Sequence, residues 1–489
     1  MLEVTRDRRW RGVPTEVALT GAAMGVVAVL AATAVGGALL DVAVLAAIAF
    51  AISAVPQRYR SGALIAVATI AAVNGLPGPD LTRHIVTNGF YEQDFAVLLL
   101  IVLLAWEIYT YRLWGFFSSG LGRALLLFAL LNLAWWMFTL YRTSWIFGIH
   151  VNHAANFGRS FLYMIILTPL FAAGMQRRQT RSAMFVVAGA WSLVISSASV
   201  IDAVHQSSFA TNLLHVIKVR QTGSLTRLYI DAEDLLLVTL VFSVAFLFGA
   251  AGRRQRRFAG LVAAFAAVAI GVLQTRAAYI GCIGGILVSA LVYLSGGGSR
   301  AQLKRLAAVF VTLGLVIGGI FVIAPGSGVT GAINEVTSRA VSGIGAAGSQ
   351  NQATSTVAVR EAELRLLEQR LGNHWGLGLG FIDQRDYWDI NLPYGSIENS
   401  DVGLFNVVMM EGIVGLVLYF AALVATTIML VVRSRVLRGE RRLYAQGALG
   451  ACVMTLITSL TLMSFFGVTG VATVAAAIGV GAAVVDGSD

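Results

Sequence analysis

Apolar residues run through this chain in blocks of roughly 20 separated by short polar turns, the length an α-helix needs to cross a hydrocarbon core of about 30 Å. Fourteen such blocks can be read, near 17–35, 39–55, 61–76, 94–111, 124–140, 161–175, 183–203, 234–251, 258–273, 278–294, 306–324, 403–432, 444–465 and 467–485. They predict an all-α integral membrane protein. The second, third and last two blocks are rich in Ala and Gly and closely spaced, so they are the least sharply bounded. One connection breaks the rhythm: the segment from Pro325 to Asp401 is far longer than any other. The pattern therefore divides the chain into helices 1–11 with short loops over 1–324, a long loop over 325–401, and helices 12–14 over 402–489.

Loops of that length in compact folds are usually functional or disordered, and this one carries internal order. Its first part, through Gly348, is rich in Gly, Ser and Ala. A helix is predicted from about Thr356 to Leu371, with Leu364, Leu367 and Leu371 on one stripe at spacings of three and four, and Arg360 at the start of that stripe. An aromatic and acidic part follows, from Trp375 to Asp401. Lesser loops at 141–160 and 204–233 carry aromatic and basic residues suited to a membrane interface.

Composition agrees with the pattern. With 57% hydrophobic and 12% charged residues and a mean hydropathy of +0.78, a soluble globule, normally about a quarter charged, is excluded. The net charge of +10 adds an orientation, because Lys and Arg accumulate on the cytoplasmic side. Alternate turns carry Arg6 to Arg11, Arg58 and Arg60, Arg112 and Arg123, Arg177 to Arg181, Arg253 to Arg257, Arg300 to Arg305, and Arg433 to Arg442. Both termini are then expected in the cytoplasm and the long loop outside. The charge reads as orientation signal and headgroup contact, not nucleic-acid binding. The six histidines, His84, His150, His153, His205, His215 and His374, all fall on the outer side. The first block reads as a retained helix, since no small-residue cleavage motif leads into a soluble domain. Cys282 and Cys452 lie inside apolar blocks and suggest no disulfide.

Several residues stand out for chemistry. Arg276 lies between two apolar blocks with Gln274 and Thr275 at the outer boundary, where a guanidinium either snorkels as an anchor or grips an anion such as a diphosphate. Arg360, on an apolar stripe, pairs with Glu361, Glu363 or Glu368 or faces a ligand. Arg339, Arg365, Arg370 and Arg385 line an anionic channel or solvate the loop. Gly376, Gly378 and Gly380 permit a tight backbone path beside a ligand or a helix. Trp375, Tyr387, Trp388 and Tyr394 stack on sugar faces or anchor at the interface. Glu398, Asn399 and Asp401 precede the next apolar helix, where Asn399, Ser400 or Asp401 caps its N-terminus and Glu398 or Asp401 can accept a proton. Glu411, an acid inside an apolar block, calls for a partner such as one of these arginines. His150-x-x-His153 lacks a third metal ligand and reads as interfacial polarity. Gly376-x-Gly-x-Gly precedes no βαβ unit, which excludes a dinucleotide fold.

Three of these segments fall in a telling order: Gln274-Thr-Arg-Ala-Ala-Tyr279, then Gly376-Leu-Gly-Leu-Gly380 with Ser396-Ile-Glu-Asn-Ser-Asp401, then Glu411-Gly-Ile-Val-Gly415. The order resembles the bacterial O-antigen ligase and O-antigen polymerase superfamily, over roughly residues 258–432. The resemblance implies a GT-C-like membrane glycosyltransferase of the inner membrane, with its site facing outward. Its donor is an undecaprenyl-diphosphate-linked glycan, its acceptor a glycan or lipid hydroxyl, and it needs no cofactor and no metal. Arg276 and Arg360 would hold the diphosphate, Glu398 would act as base with Asp401 and His374 as rivals, and Asn399 would orient a sugar hydroxyl. Arg339, Tyr387, Trp388 and the three glycines would complete the substrate site, and inversion is expected. Members commonly carry His where Glu398 stands here. Glu92-Gln-Asp94 is similar to the acidic pair of metal-dependent relatives in mechanism, yet the arginines offer charge neutralisation without metal. Repeat-unit polymerase and ligase share these features; the long aromatic loop leans toward polymerase, for which a chain-length regulator is an expected partner. A transporter of lipid-linked sugars is the rival from another class, expected to show paired halves and broken helices near the midplane.

Overall fold

The computed structural model describes residues 55–74, 92–205, 217–222, 225–229, 233–249, 252–273, 276–296, 356–382, 403–460 and 467–487. The described chain is helical: α1 (Gln57–Asn74), α2 (Glu92–Thr110), a 3-10 turn (Leu113–Ser118), α3 (Gly120–Ile146), α4 (Val151–Gly174), α5 (Arg178–His205), α6 (Glu233–Phe248), α7 (Arg253–Leu273), α8 (Arg276–Ser295), α9 (Thr356–Leu371), α10 (Leu404–Arg433), α11 (Gly439–Ser459) and α12 (Val468–Asp486). The one addition to the all-α expectation is a hairpin in the 204–233 connection, where β1 (Ile217–Thr222) pairs antiparallel with β2 (Leu225–Tyr229).

Six described helices are long and apolar enough to cross a membrane: Gln93–Thr110, Gly120–Ile146, Val151–Gly174, Arg178–Ile201, Ala277–Ser295 and Leu404–Arg433. Each coincides with an expected span. Helices also occupy the expected spans at 61–76, 234–251, 258–273, 444–465 and 467–485, without meeting that measure of length and hydropathy. α6, for example, has only 16 residues. The spans at 17–35, 39–55 and 306–324 lie outside the described residues.

The helices sort by what surrounds them. α6, α11 and α12 form the centre; every residue of α6 but Glu233 and Leu247 is buried, as expected of a helix apolar all round. α2, α3, α8 and α10 are peripheral and turn large apolar side chains outward. On α8 these are Ile280, Ile283, Leu287 and Leu291, and on α10 they include Val417, Val424, Ile428 and Val432. Apolar stripes of that extent on an outer face need a nonaqueous neighbour, which the acyl chains of a bilayer supply. The inner faces carry the polar residues instead: α3 buries Asn132, Thr139, Arg142 and Thr143.

Two buried carboxylates fix α2. Asp94 Oδ2 accepts from Arg159 Nη1 at 3.1 Å and its Oδ1 accepts from Tyr163 Oη at 2.7 Å, both on α4. The partner of Asp94 is therefore a guanidinium, which gives this carboxylate a structural role. Thirteen residues on, about 20 Å along the helix, Glu107 Oε1 accepts from Arg177 Nη1 at 2.9 Å and from Thr180 Oγ1. Arg177 also reaches Arg58 O, and Arg178 pairs with Glu440. The arginine-bearing turns before α1, before α5 and before α11 thus meet at one end of the bundle. Removing one partner of a buried pair strands the other charge at a cost of about 3 kcal/mol. Glu107→Ala is expected to lower the unfolding midpoint of the detergent-solubilised protein by an amount corresponding to about 3 kcal/mol, whereas the exposed Arg365→Ala shifts it by less than ~0.5 kcal/mol. Thermal unfolding followed by circular dichroism checks both.

Candidate functional site

α9 occupies the stretch predicted for it, and Leu367 and Leu371 of its stripe pack with Val408 and Met409 of α10. The chain then turns at Gly372 and Asn373, and residues 375–382 enter the bundle between α3, α4 and α10 as irregular backbone. Such backbone persists at membrane depth only where its polar groups are satisfied by protein. Here the partner is a break in α10 at Gly412 (φ 69°, ψ −176°).

In an unbroken helix the amides of Ile413 and Val414 would bond to the carbonyls of Met409 and Met410. Instead Ile413 N donates to Trp375 O at 2.9 Å and Val414 N to Gly376 O at 3.3 Å. The freed carbonyls accept from the inserted segment: Leu379 N bonds to Met409 O at 2.6 Å and Gly380 N to Met410 O at 2.8 Å. Two helical rungs are exchanged for four bonds between segments, and no group is lost. Glycine is required where the strands of this clasp touch. Gly378 (φ 71°) would place a Cβ 2.5 Å from Gly412 N, and a Cβ on Gly412 would run into Gly376 O. Gly376 itself has open space around its Cβ position, so its contribution is its carbonyl.

α3 holds the segment from the other side. Thr143 Oγ1 accepts from Phe381 N at 2.9 Å, and Arg142 Nη1 donates to Leu377 O at 2.7 Å. Arg142 Nη2 lies 3.4 Å from His374 Nδ1, and its guanidinium faces the Phe147 ring. The Phe381 ring sits against Gly158 of α4, between Trp136 and Phe161. Trp135 Nε1 donates to Glu411 O at 3.3 Å.

This geometry explains Glu411-Gly-Ile-Val-Gly415. Gly412 makes the break, and Gly415, one turn on, leaves the space taken by Glu411 Oε2 and Trp135 Nε1; a Cβ there would stand 2.7 and 2.6 Å from them. Glu411 is 2% exposed. Among the described residues no hydrogen bond or ion pair engages its carboxyl. Of the arginines offered as its partner, Arg276 opening α8, Arg360 on α9, Arg339 and Arg385 have side chains outside the described residues.

Of the other expected site residues, Gly376, Gly378 and Gly380 are brought onto α10 at Met409–Val414, whereas Arg339, Arg385, Tyr387, Trp388, Glu398, Asn399 and Asp401 lie outside the described residues. Arg370, expected to solvate the loop or line a channel, is buried, and Arg365 is exposed. His374 is exposed at the turn before the clasp. His150 caps α4, its Nδ1 accepting from Asn152 N at 3.3 Å.

Arg142 was missed because the expected span stopped at 140, leaving it in a loop. α3 in fact continues to Ile146 and buries Arg142. The signal was the spacing: Asn132, Thr139, Arg142 and Thr143 continue one helical face past the end of the apolar block. No protein-family model matches the chain, and no curated protein matches it in sequence.

The clasp sets an ordering among its glycines. Gly378→Ala and Gly412→Ala are each expected to destabilise by about 2 kcal/mol or more, from the left-handed backbone and the clash together. Gly376→Ala is expected to change stability by less than ~0.5 kcal/mol. Unfolding midpoints of the three variants in one detergent check the order.

Proposed function

We propose that this protein is a metal-independent, inverting glycosyltransferase of the bacterial cytoplasmic membrane, spanning it fourteen times. It transfers a glycan from undecaprenyl diphosphate to an acceptor hydroxyl on the outer face, as a repeat-unit polymerase. The observation that carries this reading is the docking of Gly376–Gly380 into the break at Glu411-Gly412. Gly376–Gly380 and Glu411–Gly415, both within the segments that resemble the O-antigen ligase and polymerase superfamily and about 30 residues apart in sequence, form one structural unit, which is what a shared site requires. In this reading the loop 325–401 is extracytoplasmic, and the clasp anchors its residues 375–380 to α10.

The chemistry needs no nucleotide, because the diphosphate linkage is already activated. Arg276 and Arg360 neutralise the charge that grows on the diphosphate as the glycosidic bond breaks. Glu398 takes the proton of the attacking hydroxyl. The transporter reading gains support from a broken helix, since half-helix termini bind substrates in such proteins. The terminal groups at Gly412, however, are occupied by the chain's own backbone, which favours the enzyme.

Deletion of the gene in its host, complemented by wild type or by Arg276→Ala, tests the reading through the glycan profile. A polymerase leaves a single lipid-linked repeat unit that the Ala variant fails to extend. Full-length polymer stranded on the carrier would make the protein a ligase. Repeat units trapped on the cytoplasmic side would overturn the transferase reading and favour transport.

A further inference from the structure

Arg142 is 4% exposed, and its charge is treated unlike that of its neighbours. Arg159 and Arg177, also largely enclosed, each hold a carboxylate, at 3.1 and 2.9 Å. Arg142 has none among the described residues; its polar contacts are Leu377 O and His374 Nδ1. A guanidinium carries five N–H donors, and two of them are engaged by described residues. A cation enclosed without a counter-charge costs several kcal/mol, and an anion lifts that cost.

Its position says which kind of anion. Arg142 lies one turn from the end of α3, about 29 Å along the helix from Arg123 and so at the end of the bundle opposite the arginine-bearing turns. On the outward side of that turn the exposed rings of Tyr141 and Trp145 stack with centroids 5.9 Å apart. Tyr and Trp take up such places at the level of lipid headgroups. Arg142 is therefore at the depth of lipid phosphates. Exposed His374, in contact with Arg142, offers a second polar group to a ligand arriving from the solvent side.

We propose that Arg142 and His374 form a binding site for the phosphate group of a membrane lipid, with Arg142 donating hydrogen bonds to the phosphate oxygens while it holds Leu377 O. A planar guanidinium suits phosphate, and a bound phosphate would couple lipid occupancy to the clasp through Leu377. The site stands independently of glycosyl transfer. Two sources share the chemistry: the diphosphate of a prenyl-linked glycan, and the headgroup of an anionic phospholipid.

The test uses the full chain in phosphatidylcholine nanodiscs and two probes, farnesyl diphosphate and phosphatidylglycerol. His374 modification by diethyl pyrocarbonate, read by mass spectrometry, is expected to slow when a phosphate ligand binds. Affinity for that ligand is expected to fall about tenfold in Arg142→Gln, the loss of one charge-assisted hydrogen bond, and to recover partly in Arg142→Lys. Protection by farnesyl diphosphate alone supports the site and assigns it to a lipid-linked diphosphate; protection by phosphatidylglycerol supports it and assigns it to bulk lipid. An unchanged modification rate with both probes would overturn it, and this arm uses wild-type protein, so it decides even if the Gln variant does not fold. Protection together with an unaltered glycan profile in the deletion strain would keep the site and discard the transferase.

Discussion

A peptide group in hydrocarbon has no water to fall back on, and that constraint organises this protein. Each unmet N–H or C=O costs several kcal/mol, so a non-helical segment can enter the bundle only where another part of the chain gives up matching groups. Residues 375–380 enter, and α10 yields two amides and two carbonyls at Gly412 to receive them. The surrounding details follow from this exchange. Gly378 and Gly412 let the backbones touch, Phe381 fills the gap between α3 and α4, and Arg142 and Thr143 meet one further carbonyl and one further amide.

The same constraint governs the side chains. Asp94 and Glu107 would be prohibitive in an apolar interior alone, yet each is matched by a guanidinium and a hydroxyl. Because the two lie toward opposite ends of α2, they fix its depth and rotation against α4 and α5 together. Apolar packing alone would do this poorly, since the outward face of α2 is as apolar as the inward one: Leu98, Leu99, Val102 and Trp106 are exposed.

Length and hydropathy made the spans legible, and the helices found at 92–205 and 404–486 agree with them. The leucine spacing made α9 legible, together with the face it buries. Glycine spacing marked 376–380 as a place of close approach, but not what approaches, since a break inside α10 leaves no trace in hydropathy. Glu411 illustrates the limit: an acid in an apolar run signals a partner, but hydropathy does not show that Gly415 makes room for its carboxyl beside the Trp135 indole. Arg142 was hidden for a related reason. The end of an apolar block is not the end of a helix when the buried face turns polar first.

The break in α10 also bears on how the molecule is assembled. Until residues 375–380 are in place, the amides of Ile413 and Val414 have the carbonyls of Met409 and Met410 as their natural partners, so the freshly inserted segment is one continuous rod. Docking of the loop trades those two helical bonds for the four of the clasp. Because residues 375–380 precede α10 in the chain, a nascent chain that stalls before Val414 carries the loop segment without the amides and carbonyls that receive it.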